Sequence, residues 1–253
     1  MSRAAPWRLL ACLLVAGVLA LPLRGAKGQD LVADLSEHLV AITTGFAGAE
    51  VLLFGAVEHP GDIVVVVRGP RHPVRMHRKS RVFGIWMNTA TMTFAAVPSY
   101  YAVSASDDLD AVTRESVRAR HDLGLAHLDL TLPTAKASPN VAAAWRAALI
   151  RAKQREGHYY TQVGRVSFLG QRLFRTQVRF PANVPTGRYI VEVFYLRDGR
   201  VIAAQATPLQ VGKVGTEAEI FDFAYNRSLL YGLIAIAIAL MAGWLANLMF
   251  RQA

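Results

Sequence analysis

Hydrophobic and polar positions fall into three regimes along the chain. Leu9 to Leu21 is an unbroken apolar run of thirteen residues, Leu229 to Phe250 is an uncharged stretch of 22, and much of the intervening sequence alternates with period two. Period-two alternation predicts half-buried strands, and a short continuous β-branched run predicts a strand buried on both faces. Glu50 to Val57 reads as a strand, His59-Pro60-Gly61-Asp62 as a turn, and Ile63 to Val67 as a core strand. Arg81 to Met87 and Thr91 to Ala95 follow as strands separated by Asn88-Thr89, then Tyr100 to Val103. Near the C-terminal end, Phe174, Val178 and Phe180 point one way and Arg175, Gln177 and Arg179 the other. Arg188 to Leu196 and Val201 to Thr207 flank Asp198-Gly199, the dipeptide of a tight hairpin turn.

The texture changes at Asp107. Asp107, Asp108 and Asp110 form an acidic helix start running on through Val112 to Arg118. Pro133 and Pro139 bracket a loop, and Asn140 can cap a second helix through Arg155, with Trp145, Ala148, Leu149 and Ala152 as its apolar stripe. The expected fold is mainly β: an immunoglobulin-like β-sandwich with a helical insert, followed by one C-terminal transmembrane helix. The expected boundaries are 1–28 for a signal peptide, 29–106 and 159–226 for the two parts of the sandwich, 107–158 for the insert, 227–250 for the span and 251–253 for a cytoplasmic tail.

Arg3 and Arg8 precede the first apolar run, and Ala26 and Gly28 offer small residues before a cut at Gln29. That is the plan of a cleaved secretory signal, too short to span a bilayer. Cys12, the only cysteine, would leave with it, removing disulfides, thiolate nucleophiles and cysteine–zinc sites from the mature chain. The second run reaches about 33 Å as a helix, enough for a hydrocarbon core. Tyr225, Tyr231 and Trp244 sit where aromatic rings favour the membrane interface. Gly232, Ala235, Ala239 and Gly243 share one face of it, a candidate surface for close helix packing. Export starts the chain outward, so the bulk is expected in the periplasm and Arg251-Gln252-Ala253 in the cytoplasm, with the span in a bacterial inner membrane.

The net charge is +10, with 28 basic residues of which only five are lysine. Alanine and arginine richness makes this a compositional habit, and export to a compartment without DNA argues against nucleic acid as a partner. The concentrated feature is a basic segment holding Arg68, Arg71, Arg75, Arg78, Lys79 and Arg81 with His72 and His77, and no acid between Asp62 and Asp107. Like charges repel, so this loop is expected to be extended unless a small anion, lipid headgroups or an acidic partner gathers it, and a plain solvated loop is the simpler interpretation.

His121-Asp122 with His127 and Asp129 is the nearest approach to a metal set, and its spacing fits no helix-face pair. A solvated linker is the simpler interpretation. Glu37-His38 and Glu58-His59 diverge on strands, and neither a serine-nucleophile elbow nor a phosphate-cradling glycine loop is present. No cofactor and no enzymatic activity is expected.

Several blocks carry a family likeness. Arg81-Val82-Phe83-Gly84-Ile85-Trp86-Met87-Asn88 and Val97-Pro98-Ser99-Tyr100-Tyr101-Ala102 resemble a family of predicted transmembrane proteins of alphaproteobacteria. Phe180-Pro181-Ala182-Asn183-Val184-Pro185-Thr186-Gly187-Arg188-Tyr189, Leu230-Tyr231-Gly232 and Ala242-Gly243-Trp244-Leu245-Ala246 are similar to the same family. The resemblance implies a single-span envelope protein. It further implies an exporter of the sulfite/organosulfonate type as the class of integral membrane partner. With so short a tail, any effect inside the cell is expected to pass through such a partner. The expected function is therefore a periplasmic binding or accessory domain, a subunit or regulator of a membrane complex such as a transporter. A periplasmic small-anion receptor built on the basic segment is the alternative, and an envelope enzyme the remote one.

Overall fold

The computed structural model describes residues 30–131, 138–214 and 223–250. The expected signal peptide, Cys12 and the tail 251–253 lie outside the described residues. Strands β1 (Leu31–Leu35), β3 (Gly48–Val57), β9 (Ser167–Leu169) and β10 (Leu173–Pro181) form one antiparallel sheet in the order β1-β3-β10-β9. A second sheet runs in the order β2-β12-β11-β4-β7-β8. It uses β2 (Leu39–Ile42), β4 (Asp62–Arg68), β7 (Tyr101–Ala105), β8 (Gly164–Arg165), β11 (Gly187–Arg197) and β12 (Arg200–Lys213). Between β4 and β7 the chain leaves the sheet as a long hairpin, β5 (Arg71–Val82) and β6 (Ile85–Pro98).

Strand β4 explains the layering. Its continuous Ile63-Val64-Val65-Val66-Val67 run is buried throughout, and alternation sends successive side chains to opposite faces. Ile63, Val65 and Val67 join Leu53, Phe174, Phe180, Tyr189 and Leu209 in a core between the two sheets. Val64 and Val66 face the other way, into a second core with Phe94, Leu123, Trp145, Leu149 and Phe194. The expected helical insert covers that outer face. Its helices are α1 (Leu109–Val112), α2 (Glu115–His121) and α3 (Pro139–Arg155), and the base of the hairpin packs beside them. The protein is mainly β, in three layers. Its large sheet is mixed: β2 pairs β12 and β8 pairs β7 in parallel, whereas immunoglobulin-like sandwiches are built from antiparallel strands.

Local chemistry accounts for the ends of the elements. The Asp108 carboxylate accepts from the Asp110 backbone N–H at 3.3 Å, capping α1. The helical run expected from Val112 to Arg118 is broken because Thr113 turns extended and gives its hydroxyl to the Leu109 carbonyl. Helix α3 starts with Pro139 in its first turn and buries Trp145 and Leu149. Asp198 (φ 52) and Gly199 (φ 71) make the expected tight turn between β11 and β12. On β10, Phe174, Thr176, Val178 and Phe180 are buried and the intervening residues exposed, as its alternation requires.

Helix α4 (Ser228–Phe250) begins one residue before the uncharged stretch. Within it, Ser228–Asn247 has a mean hydropathy of 2.2 and none of it is buried against the rest of the chain.

Candidate functional site

The basic segment is not a loop. It is strand β5 and the end of β4, and this corrects the expectation of an extended, unpaired stretch. The turn also moves. The chain reverses at Phe83 (φ 48) and Gly84 (φ 86), so β6 runs unbroken through Asn88-Thr89, which the sequence marked as a break. The signal at Asn88-Thr89 is a bulge: Arg78 pairs Ala90 whereas Lys79 pairs Asn88, leaving Thr89 as the extra residue. Its hydroxyl donates to the Arg78 carbonyl at 3.2 Å.

That bulge keeps the hairpin amphipathic. Cross-strand partners share a face, so Val74/Phe94, Met76/Met92, Ser80/Met87 and Val82/Ile85 form one apolar stripe. Without the extra residue the β6 half of the stripe would switch sides beyond Ala90. Arg75, His77, Lys79 and Arg81 lie on the opposite face, while Arg78 stands among the apolar pairs opposite Ala90. The proximal part of the stripe is sealed into the second core through Phe94 and Val97. The distal part is open: from His77 to Ala90 no residue is buried, and Ile85 and Met87 of the stripe are exposed, as are Phe83 in the turn and Trp86, which stands opposite Arg81 on the basic face. The Arg81 Nε–H donates to the Gly84 carbonyl at 3.0 Å and closes the turn.

Arg68 and Arg71 belong to a separate place, a cleft of about 400 Å³ at the root of the hairpin. Its charged lining is Arg68, Arg71 and Arg188 against Asp122 and Glu192, with His121 beside them. The Arg68 Nη1 pairs the Glu192 carboxylate and its Nη2–H donates to the His121 carbonyl at 2.5 Å. The Arg71 Nη2 lies 3.7 Å from the Asp122 carboxylate. Burial, the largest effect, pulls the Arg68 guanidinium below its ordinary value, and its Nε is buried with no hydrogen-bond partner among the described residues. The Tyr101 hydroxyl underlies the cleft: it donates to the Asp122 carbonyl at 2.6 Å and accepts from the Gly124 N–H at 2.7 Å. Burial pushes its pKa up to about 12, so it remains a donor at any physiological pH.

The six cations therefore divide. Arg68 and Arg71 sit in the cleft, and Arg75, Arg78, Lys79 and Arg81 lie along the projecting hairpin. The histidine–aspartate set disperses: His121 lines the cleft, His127 Nε2 approaches Glu115 at 3.6 Å, and Asp129 accepts from Thr131 at 2.9 Å. No group of three or more potential metal ligands gathers among the described residues. Arg188, Glu192 and the exposed tip of the hairpin were not singled out from sequence. The alternation of Val74 and Met76, continued by Ser80 and Val82, was the available signal for the hairpin.

On α4, a Cβ built on Gly232 or Gly243 would meet nothing within 4 Å, so the face they share with Ala235 and Ala239 is uncovered. No curated protein and no solved structure matches the chain. The model of a family described as "Putative transmembrane protein (Alph_Pro_TM)" matches residues 30–252, which takes in both sheets, the hairpin and helix α4. The chain belongs to this family of transmembrane proteins.

Proposed function

We propose that this chain is a single-pass inner-membrane accessory protein. Its β-domain lies in the periplasm and serves as a subunit or regulator of an integral membrane complex, and the two-sheet body is an elaborated immunoglobulin-like sandwich. The observation that carries this is the unburied apolar helix α4 joined to a folded, charge-bearing β-domain. Such a helix needs lipid or another helix around it. Its face of small residues admits close backbone approach, which in lipid takes the place of a hydrophobic drive between helices. An exporter of the sulfite/organosulfonate type is the partner class that the family resemblance supplies. Two of the three cations of the cleft, Arg68 and Arg71, are paired with Glu192, Asp122 and a carbonyl, which suits a binding module better than a catalyst.

The test is capture of the full chain in mild detergent with its partner. Ala239→Leu places a branched side chain between helix backbones. Small-residue packing is worth about 1–2 kcal/mol in model pairs, so partner recovery should fall about five- to thirty-fold. The same change at Ala237, on the far side of the helix, should leave recovery near the parent's. Equal recovery with Ala239→Leu would show that recognition lies outside the span.

The small-anion receptor is a second reading, favoured by the convergence of Arg68, Arg71 and Arg188 on one cleft. It calls for a rise in the melting temperature of the full chain with sulfite or sulfate, lost in Arg188→Gln.

A further inference from the structure

We propose that the tip of the β5–β6 hairpin docks into the interface of an anionic lipid bilayer, with Phe83, Ile85, Trp86 and Met87 immersed and the basic face of the hairpin against the headgroups. This rests on membrane anchorage of the chain and not on the existence of a protein partner.

The turn itself is the first reason. A two-residue hairpin turn with both φ values positive ordinarily takes Asn, Asp or Gly at its first position. Here that position is Phe83, a bulky residue in the left-handed region and fully exposed. Such a conformation is unfavourable for an aromatic side chain, and no described contact of the ring in the folded chain offsets it. Ile85, Trp86 and Met87 follow it in sequence and are 53–68% exposed. A contiguous apolar cap at the end of a projecting arm marks a contact surface.

Charge selects the occupant. Arg75, Lys79 and Arg81 share the face opposite the apolar stripe, Arg78 lies at the edge of the exposed part of the stripe, and the hairpin holds no acid. An anionic bilayer offers an apolar layer beneath a negative one: Arg75, Arg78 and Lys79 stand farther from the turn than Met87, and Arg81, which pairs Trp86 within the tip, has a side chain long enough to bring its guanidinium back towards the headgroups. Aromatic rings favour the interface, and basic residues beside it are drawn to anionic headgroups. The span α4 keeps a bilayer permanently within the reach of the tethered domain. Two residues of strand advance ~7 Å, within the ~5–10 Å depth at which interfacial segments sit. Deeper entry is opposed because the two strand edges would carry unpaired backbone groups into hydrocarbon.

The test uses the full chain with Cys12→Ser and Phe83→Cys, labelled at position 83 with the environment-sensitive fluorophore NBD. It is reconstituted into vesicles of phosphatidylcholine alone or with phosphatidylglycerol. Docking predicts blue-shifted emission and quenching by lipid-borne nitroxide in the anionic vesicles, with water-like emission in the neutral ones or at high salt. Arg75→Gln and Lys79→Gln should each lower the docked-to-free ratio about fivefold. Water-like emission in anionic vesicles would overturn the proposal, as would equal shifts in both lipids. A shift without nitroxide quenching, seen only when solubilised native membrane protein is added, would also overturn it and place a protein on the tip instead.

Discussion

Arg68 and Glu192 form an ion pair across neighbouring strands, diagonally, since Glu192 stands opposite Val66 and Arg68 opposite Ile190. The pair closes one wall of the cleft and is a direct ion-pair contact of a guanidinium whose side chain is only 14% exposed. Breaking a buried pair by removing one partner costs about 3–5 kcal/mol. Glu192 is 31% exposed, so solvent screens part of this.

Glu192→Gln should therefore destabilise the domain by about 1–3 kcal/mol, read by denaturant unfolding of the full chain in detergent. Replacing both partners by methionine should recover most of the loss, because no charge is then left unpaired. Unchanged stability in the single variant would mean that the pair is replaced by water.

Tyr101 predicts a second stability effect. Its hydroxyl satisfies the Asp122 carbonyl and the Gly124 N–H in a turn where Asp122 (φ 52) and Gly124 (φ 93) are both left-handed. Tyr101→Phe leaves both groups without that partner at a partly buried site, at a cost of about 1–2 kcal/mol. Faster hydrogen exchange should be confined to the segment around residues 121–124. Protection there equal to the parent's would show that the turn holds itself.

The third prediction is a pH dependence. Burial first, then the charges of Arg120 and Arg68, holds the His121 imidazole below its ordinary value, while Asp122 opposes them. The unfolded chain therefore takes up this proton at a higher pH than the folded one. Stability from His121 is complete above its unfolded value near 6.5 and is lost as pH falls through the lower folded value. Between about pH 7.5 and 5.5, where most carboxylates stay ionised, the melting temperature should fall less in His121→Gln than in the parent. Parallel curves would show that other groups set the acid sensitivity.

The elements legible in the sequence are those where one physical signal dominated. Ile63 to Val67 announced a strand with two buried faces, and Leu229 to Phe250 a span, because no charge interrupts either run. Asp198-Gly199 announced its turn, because that dipeptide accepts positive φ. The hairpin was misread because its distal half faces solvent on both sides, so dense cationic residues outweighed the Val74–Met76 alternation. At Phe83-Gly84 only the glycine signals a turn, beside a phenylalanine where Asn, Asp or Gly is usual, while Asn88-Thr89 carries a turn signal and makes a bulge. The cleft was half legible. Arg68 and Arg71 are close in sequence, but Arg188 and Glu192 reach them only through the antiparallel pairing of β4 with β11.

The most direct measurement of the central claim is the side of the membrane on which the β-domain stands. Arg200 lies exposed beside the β11–β12 turn, and the sequence holds one cysteine, Cys12. In a Cys12→Ser chain carrying Arg200→Cys, a membrane-impermeant maleimide added to intact spheroplasts should label the protein fully, with no further labelling after lysis. Labelling that appears only after lysis would put the β-domain in the cytoplasm and contradict a periplasmic accessory role.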